Sequence, residues 1–337
     1  MSTKTELLAL LAQKEGRYAS GQELADTLGV SRNAIWKAVK ALQEQGYAIE
    51  SLPSTGYRLR QKADILTRDA ICEALHVPLK LHLLDKVDST NNYAKTLSDL
   101  SLPQLVVSEE QTAGRGRLGR SFYSPAGKGI YMSFAFCPRL ELSQAMLVTT
   151  MTAVAVCRAL ESLTGLRPKI KWVNDIYLNE KKLCGILTEA ETNFETGEIQ
   201  KIIVGIGINC FEDAAMPPEI REVATFLDKP QESFDRNALI AAIANEFFDM
   251  LAHFDRAKIV RDYRARSCIL GQQILIFNPA IARAIGRPDN RLSEGIRARA
   301  IDIDENGGLV VEYLEGTKSR QMETLSTGEI TVRKVYD

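Results

Sequence analysis

Gln111-Thr112-Ala113-Gly114-Arg115-Gly116-Arg117-Leu118-Gly119-Arg120 follows a strand-like apolar run, Leu105-Val106-Val107-Ser108. Its glycines match G-x-G-x-x-G, the spacing of a dinucleotide-binding turn, and that reading requires a helix to begin at once. The residues that follow, Ser121-Phe122-Tyr123-Ser124-Pro125-Ala126-Gly127, make a poor helix, so a nicotinamide fold is set aside. The arginines carry the alternative. Arg115, Arg117 and Arg120 on a loop loosened by glycine can fork onto carboxylate and phosphate oxygens. The bland reading of the same residues is a flexible basic surface loop.

Three further segments flank it. Asp88-Ser89-Thr90-Asn91-Asn92 follows a strand expected over Leu81 to Val87. Ser89 and Thr90 either cap a helix or offer hydroxyls to a polar ligand head. Lys171-Trp172-Val173-Asn174-Asp175 leads into Ile176 and Leu178, a polar Asn179-Glu180 turn, and a second strand from Leu183 to Leu187. Lys182 stands at the root of that strand beside Gly185, although a hairpin lysine alone is unremarkable. Ile202-Ile203-Val204-Gly205-Ile206-Gly207-Ile208-Asn209 places two glycines inside a strand pattern, a mark of a bulge or of close approach by another group.

The first 60 residues have a different texture. Leu7, Leu8, Leu10 and Leu11 give one helix its apolar stripe. Ser20 precedes Glu23 at capping-box spacing, and Gly29 suits a left-handed helix end. Ser31 caps a third helix whose Ile35, Val39 and Leu42 share a face. Ile49 and Tyr57-Arg58-Leu59 bracket a Pro53-Ser54-Thr55-Gly56 turn, which completes a winged helix-turn-helix pattern. Arg32, Asn33, Trp36, Lys37 and Lys40 lie off the apolar seam and are the candidate DNA contacts, the cations for phosphate and Asn33 for a base edge. The other reading is a small helical interaction domain with a solvated basic face. Eight cations against six acids in residues 1–60 make one copy a weak binder, so a dimer on a two-part site is expected.

At 337 residues the chain exceeds what one core usually serves. We expect a winged head over 1–62, an α/β domain with a mixed sheet over 63–268, and a small barrel over 269–337. A net charge of −1 excludes a general polyanion binder and confines any nucleic-acid affinity to a local surface. No run approaches the roughly 18 apolar residues of a membrane span. The opening Met1-Ser2-Thr3-Lys4, with Glu6 close behind, is no secretory signal. The six cysteines form no C-x-x-C pair and only three histidines exist. A protein-held zinc site is not expected, and a reducing, cytoplasmic setting is.

Taken together and in this order, Asp88 to Asn91, Gln111 to Arg120, Lys171 to Asp175, Lys182-Leu183-Cys184-Gly185-Ile186-Leu187 and Gly205-Ile206-Gly207-Ile208-Asn209 resemble the biotin–protein ligase family. The winged head and the segment Ser326-Thr327-Gly328-Glu329-Ile330 extend the resemblance to its bifunctional bacterial members, which also repress the biotin operon. The resemblance implies a class II synthetase-like central domain and an SH3-like C-terminal barrel. It implies ATP with Mg²⁺ and biotin as reactants, biotinyl-5'-AMP as intermediate, a lysine of a biotin carboxyl-carrier protein as acceptor, operator DNA as partner, and a homodimer when adenylate is bound. Biotin contacts then fall to Ser89, Thr90, Asn91, Gln111, Gly114, Arg115, Lys182, Gly205 and Gly207. Nucleotide contacts fall to Arg117, Arg120, Asn174 and Asn209, and the catalytic groups are Lys182 and Arg115. Three positions depart from the family: Val173 replaces a usual Pro, Phe122 a usual Trp, and Val223-Ala224-Thr225-Phe226-Leu227 lacks an adenine-side tryptophan. The segment Asn278 to Glu294 also looks longer than usual. Two competing functions are a biotin sensor without ligase activity and a ligase whose head does not bind DNA.

Overall fold

The computed structural model describes residues 3–14, 16–44, 47, 49–59, 65–137, 145, 147–193, 195–196, 198–227, 234–278, 281, 295–326 and 331–334. Its N-terminal unit begins with α1 (Thr3–Gln13), which buries Leu7, Leu8 and Leu11. Helix α2 (Gly21–Leu28) starts where the Ser20 side chain accepts from the Glu23 N–H, and it stops at Gly29 with φ 64°. Helix α3 (Arg32–Glu44) starts where Ser31 Oγ accepts from the Ala34 N–H at 3.2 Å. Ile35, Val39 and Leu42 join the α1 and α2 leucines in one small core. The wing is an antiparallel hairpin of β1 (Ile49–Leu52) and β2 (Gly56–Leu59). Gly56 has φ 118°, and a Cβ there would stand 2.0 Å from Ala19 O. Only glycine lets the wing lie against Ala19, with which Tyr57 exchanges two backbone hydrogen bonds.

The central unit is a mixed sheet of seven strands: β3 (Lys80–Leu84), β4 (Gln104–Ser108), β5 (Gly129–Phe136), β6 (Lys169–Lys171), β7 (Asp175–Leu178), β8 (Lys181–Thr192) and β9 (Ile199–Asn209). Their order is β3-β4-β5-β9-β8-β7-β6, with only the β3–β4 pair parallel. The expected strand over Leu81 to Val87 is shorter. It ends at Leu84, and Val87 makes an isolated bridge to Gln111. The helices are α4 (Arg68–Ala74), α5 (Thr90–Thr96), α6 (Val148–Thr164), α7 (Pro218–Val223), α8 (Arg236–Ala252) and α9 (Arg256–Arg266).

Alternation along β9 decides where the site lies. Val204, Ile206 and Ile208 point into the main core with α6 and α8, where Phe134 stacks on Phe247 with centroids 4.8 Å apart. Ile203, Gly205 and Gly207 therefore face the other way. Ile203 packs there with Ala94 of α5, Val106 and Ala135. Beyond that small cluster the two glycines let Asn91 and Phe122 lie close against the sheet, and a hollow opens beside them.

The C-terminal strands β10 (Gln273–Phe277), β11 (Ile296–Ile303), β12 (Leu309–Tyr313), β13 (Met322–Leu325) and β14 (Thr331–Lys334) form an antiparallel sheet ordered β13-β12-β11-β10-β14. Ile274, Ile276, Ala298, Val311 and Tyr313 merge with the central core. The turn between β11 and β12 reaches furthest: Gly307 O accepts from the Trp172 indole at 2.9 Å, and Asn306 from Arg256 at 2.6 Å. Within the two C-terminal segments singled out in the sequence, 279–280, 282–294 and 327–330 lie outside the described residues. No described helix is long and apolar enough to cross a membrane.

Candidate active site

A cavity of about 990 Å³ opens over the glycine face of β8 and β9. Ser89, Thr90, Asn91, Gln111, Arg115, Arg117, Arg120, Asn174, Lys182, Gly205 and Gly207 all line it. Segments more than 110 residues apart in sequence are thus brought to one hollow. Gly114 and Asn209 stand behind the wall. A Cβ at Gly114 would meet Phe122 O at 2.4 Å, so this glycine lets the loop fold tightly on itself. Asn209 Nδ2 donates to Lys182 O at 3.3 Å and so braces the lysine's backbone.

One end is a buried polar lattice. Ser89 occupies the N-cap position of α5, but its side chain makes no capping bond and is 2% exposed. Ser89 thus takes the cap position expected from sequence without making the cap bond. Thr90 donates through its N–H and hydroxyl to Gln111 Oε1, at 2.8 and 3.1 Å. Gln111 Nε2 donates to Ser124 Oγ at 2.9 Å. Ser133 and Asn91 extend the lattice to Glu189, which accepts from Asn91 at 2.9 Å and from Lys95 at 2.8 Å. Burial works against the charged form of Glu189, but Lys95 and Asn91 outweigh it and hold the carboxyl below its ordinary value. Fixed donors and acceptors in a largely buried wall suit a neutral, multiply hydrogen-bonding ligand head.

The other end is cationic. The Gly-Arg loop carries one short 3₁₀ turn, Arg117–Gly119, with Leu118 at φ 56°, and no α-helix follows it. Arg115 donates to Asn92 Oδ1 at 3.0 Å and lies 3.4 Å from Glu189. Arg117 donates to Asn174 Oδ1 at 3.2 Å. Burial pulls the Arg117 pKa down while Asp175 works to raise it. A guanidinium partly stripped of water favours an incoming anion. Lys182 Nζ lies 2.7 Å from Asp175 Oδ1. Asn174 locks this corner to β8, since its Nδ2 donates to Ile186 O at 2.7 Å.

Several wall residues were not assigned from sequence. Phe122, noted there only as a departure, lays its ring against Gly207, whose Cβ would come within 2.6 Å of it. Trp172, Tyr177, Glu222 and Val223 also line the cavity. Val223, 61% exposed, presents an apolar surface within the segment that lacks a tryptophan. The signal for Val223 was that absence; nothing local marked Glu222. The Trp172–Val173 peptide is cis.

The candidate DNA contacts stand apart from the cavity. Arg32, Asn33, Trp36, Lys37 and Lys40 are all exposed on one side of α3, opposite its buried Ile35, Ala38 and Val39. Trp36 is 50% exposed, an unusual position for an indole.

Comparison with known proteins places these features in a family. Residues 83–209 match the biotin/lipoate A/B protein ligase family, residues 3–58 an HTH domain, and residues 291–333 the biotin protein ligase C terminal domain. The bifunctional ligase/repressor BirA of Bacillus subtilis is 34% identical over 322 residues, which cover 94% of this chain and 95% of that protein. BirA of Escherichia coli is 32% identical, covering 74% and 77%. Among solved structures, a biotin protein ligase from Aquifex aeolicus in complex with biotin and ATP superposes with a TM-score of 0.61 at 27% identity, covering 76% of this chain and 99% of that one. With N-terminal, central and C-terminal segments each matched, this chain belongs to the family of bifunctional biotin–protein ligases and repressors.

Proposed function

We propose that the chain activates biotin with ATP, transfers it to a lysine of a biotin carboxyl-carrier domain, and represses transcription when the adenylate is bound. The observation that supports this most is the pairing of a polar lattice with four cations, Arg115, Arg117, Arg120 and Lys182, around one cavity. Binding a neutral head needs only the first. Joining two anions needs the second.

In the first step the biotin carboxylate attacks the α-phosphorus of ATP, and pyrophosphate leaves. Ser89, Thr90, Asn91 and Gln111 orient the ureido head. Arg115 and Lys182 neutralise the carboxylate and the charge that grows on the α-phosphate, the largest service a preorganised site gives such a reaction. Arg117 and Arg120 take the remaining phosphates, and Asn174 and Asn209 keep Arg117 and Lys182 in place. Among the described residues no cluster of three or more His, Cys, Asp or Glu side chains could hold a resident metal. The wall does carry Asp175 beside Lys182, a donor suited to Mg²⁺ carried in on the triphosphate. Bound there, the ion would neutralise phosphate charge. In the second step a neutral lysine amine of the acceptor attacks the acyl carbonyl, AMP leaves, and the amine gives up a proton.

The functional units we assign are 1–62 for DNA, 63–268 for catalysis and 269–337 for the C-terminal barrel. The exposed cationic face of α3 supports the first assignment, with Asn33 reaching a base edge and Arg32, Lys37 and Lys40 the phosphates. A homodimer on operator DNA follows from the head's small excess charge. The test is biotin-dependent exchange of pyrophosphate into ATP. Exchange that needs biotin supports a ligase; none, with both ligands bound, leaves a sensor.

A further inference from the structure

The cavity has two walls whose roots meet where the Cys210 and Phe211 N–H groups donate to Lys128 O, at 3.0 and 2.9 Å. One is the root of the Gly-Arg loop, where Phe122 covers Gly207 and Ser124 bonds Gln111. The other is the segment through α7, where Glu222 and Val223 line the nucleotide end. Between them, the Tyr123 hydroxyl donates to Asp213 Oδ2 at 2.7 Å. Asp213 is itself fixed, because its Oδ1 accepts from the Ala215 N–H at 3.0 Å. Arg221 of α7 donates back to Asp213 O at 3.2 Å and to Ala214 O at 3.0 Å. The path then runs through Glu222 and Val223 to Thr225, whose N–H donates to Lys182 O at 2.9 Å.

We propose that the Tyr123–Asp213 hydrogen bond is a strut that sets the nucleotide-side wall against the biotin-side wall, which makes Tyr123 a positioning residue for ATP. The proposal rests on the ligase reading. Tyr123 does not line the cavity, so it acts through Asp213 and α7; Phe122 beside it is held separately, its carbonyl accepting from Ser124 Oγ at 2.9 Å and its N–H donating to Gly114 O at 2.8 Å. The wall residues near the ligand's polar head do not depend on it, since Thr90, Gln111 and Ser124 bond one another. The strut therefore bears on the nucleotide and spares biotin. The bond polarises both partners in the expected sense. Burial and the Asp213 carboxylate push the Tyr123 hydroxyl up to about 12. Burial opposes ionisation of Asp213, but the Tyr123 hydroxyl and the Ala215 N–H outweigh it and lower its pKa.

The test is pyrophosphate exchange by the full chain, titrated with ATP at saturating biotin and with biotin at saturating ATP. Tyr123→Phe removes one oxygen and leaves the ring. We expect its KM for ATP to rise about fivefold, the loss of one ordinary hydrogen bond, with kcat and KM for biotin within about twofold. Asp213→Ala should match it, the double variant should be no worse than either, and Asp213→Asn, whose amide oxygen still accepts, should restore ATP binding. An unchanged KM for ATP in Tyr123→Phe overturns the strut, and so does a parallel loss for biotin and ATP. Wild-type protein that shows no exchange overturns the ligase reading itself, a result distinct from either.

Discussion

Gly205→Ala should break the polar lattice beside the cavity while sparing the sheet that carries it. A Cβ at 205 would stand 2.2 Å from Asn91 Oδ1 and 2.9 Å from Asn91 Cγ, against ordinary contacts of about 3.5 Å. Asn91 would have to withdraw by about an ångström. It cannot do so and keep its bonds: Oδ1 accepts from Ser133 at 2.7 Å, and Nδ2 donates to Glu189 at 2.9 Å and to Leu187 O at 3.3 Å. At about 1 kcal/mol for each of these bonds, the variant should lose on the order of 3 kcal/mol of stability. Chemical denaturation of Gly205→Ala, Asn91→Ala and the double variant checks the sum. Asn91→Ala deletes the atoms that clash, so the double variant should cost little more than Asn91→Ala alone, a coupling approaching about 3 kcal/mol. Strictly additive costs would refute the reasoning, since they would mean the methyl group meets something other than Asn91.

Three further outcomes are expected. Lys182→Ala should slow adenylate formation by about 10²-fold with unchanged circular dichroism, because a strand-root lysine carries little core; near-normal turnover in the folded variant removes Lys182 from the chemistry. Glu189 has a lowered pKa in the folded protein, so it adds stability above its ordinary titration range, and that stability is lost as pH falls through the folded value. The stability gap between wild type and Glu189→Gln should therefore narrow as pH falls from about 6 to about 3, roughly 1.5 units either side of the usual glutamate value, and a gap that widens on acidification contradicts it. Gly307→Ala meets both a φ of +82° and a Thr150 Oγ1 2.8 Å from the new methyl group. It should push the β11–β12 turn off Trp172, so Trp172 emission in a Trp36→Phe background should shift to the red; unchanged emission would mean the turn absorbs the methyl locally.

Local chemistry was readable wherever it decides a local shape. Ser20 before Glu23, Gly29 at the helix end and Ser31 before α3 gave the head its boundaries, because caps act within four residues. The rejection of a helix after the Gly-Arg loop held for the same reason. The alternation around Gly205 and Gly207 put both on one face before any fold was known. What they face was not readable. Asn91 and Phe122 reach them only through strand order, which pairs β9 with β5 and β8 rather than with its sequence neighbours alone. Long-range pairs were equally silent. Arg236, fully buried, forks onto Glu109 and also donates to Gly129 O. Glu109 lies 127 residues away from it. The Trp172–Gly307 and Tyr123–Asp213 bonds span 135 and 90 residues. Nothing in the spacing of a lone tyrosine or aspartate announces a partner at that distance.

If one adenylate-filled cavity serves both activities, acceptor docking competes with dimerisation, because the acceptor lysine must reach the same activated carbonyl. Coupling of this kind is reciprocal, so whatever favours the dimer also tightens ligand binding. The direct measurement is a mobility shift with DNA from upstream of the chain's own gene, at fixed protein, biotin and ATP, while unbiotinylated carrier domain is titrated. The expected complex requires both biotin and ATP and weakens as carrier rises, before the adenylate is exhausted. DNA binding that ignores biotin, ATP and carrier alike would contradict this coupling.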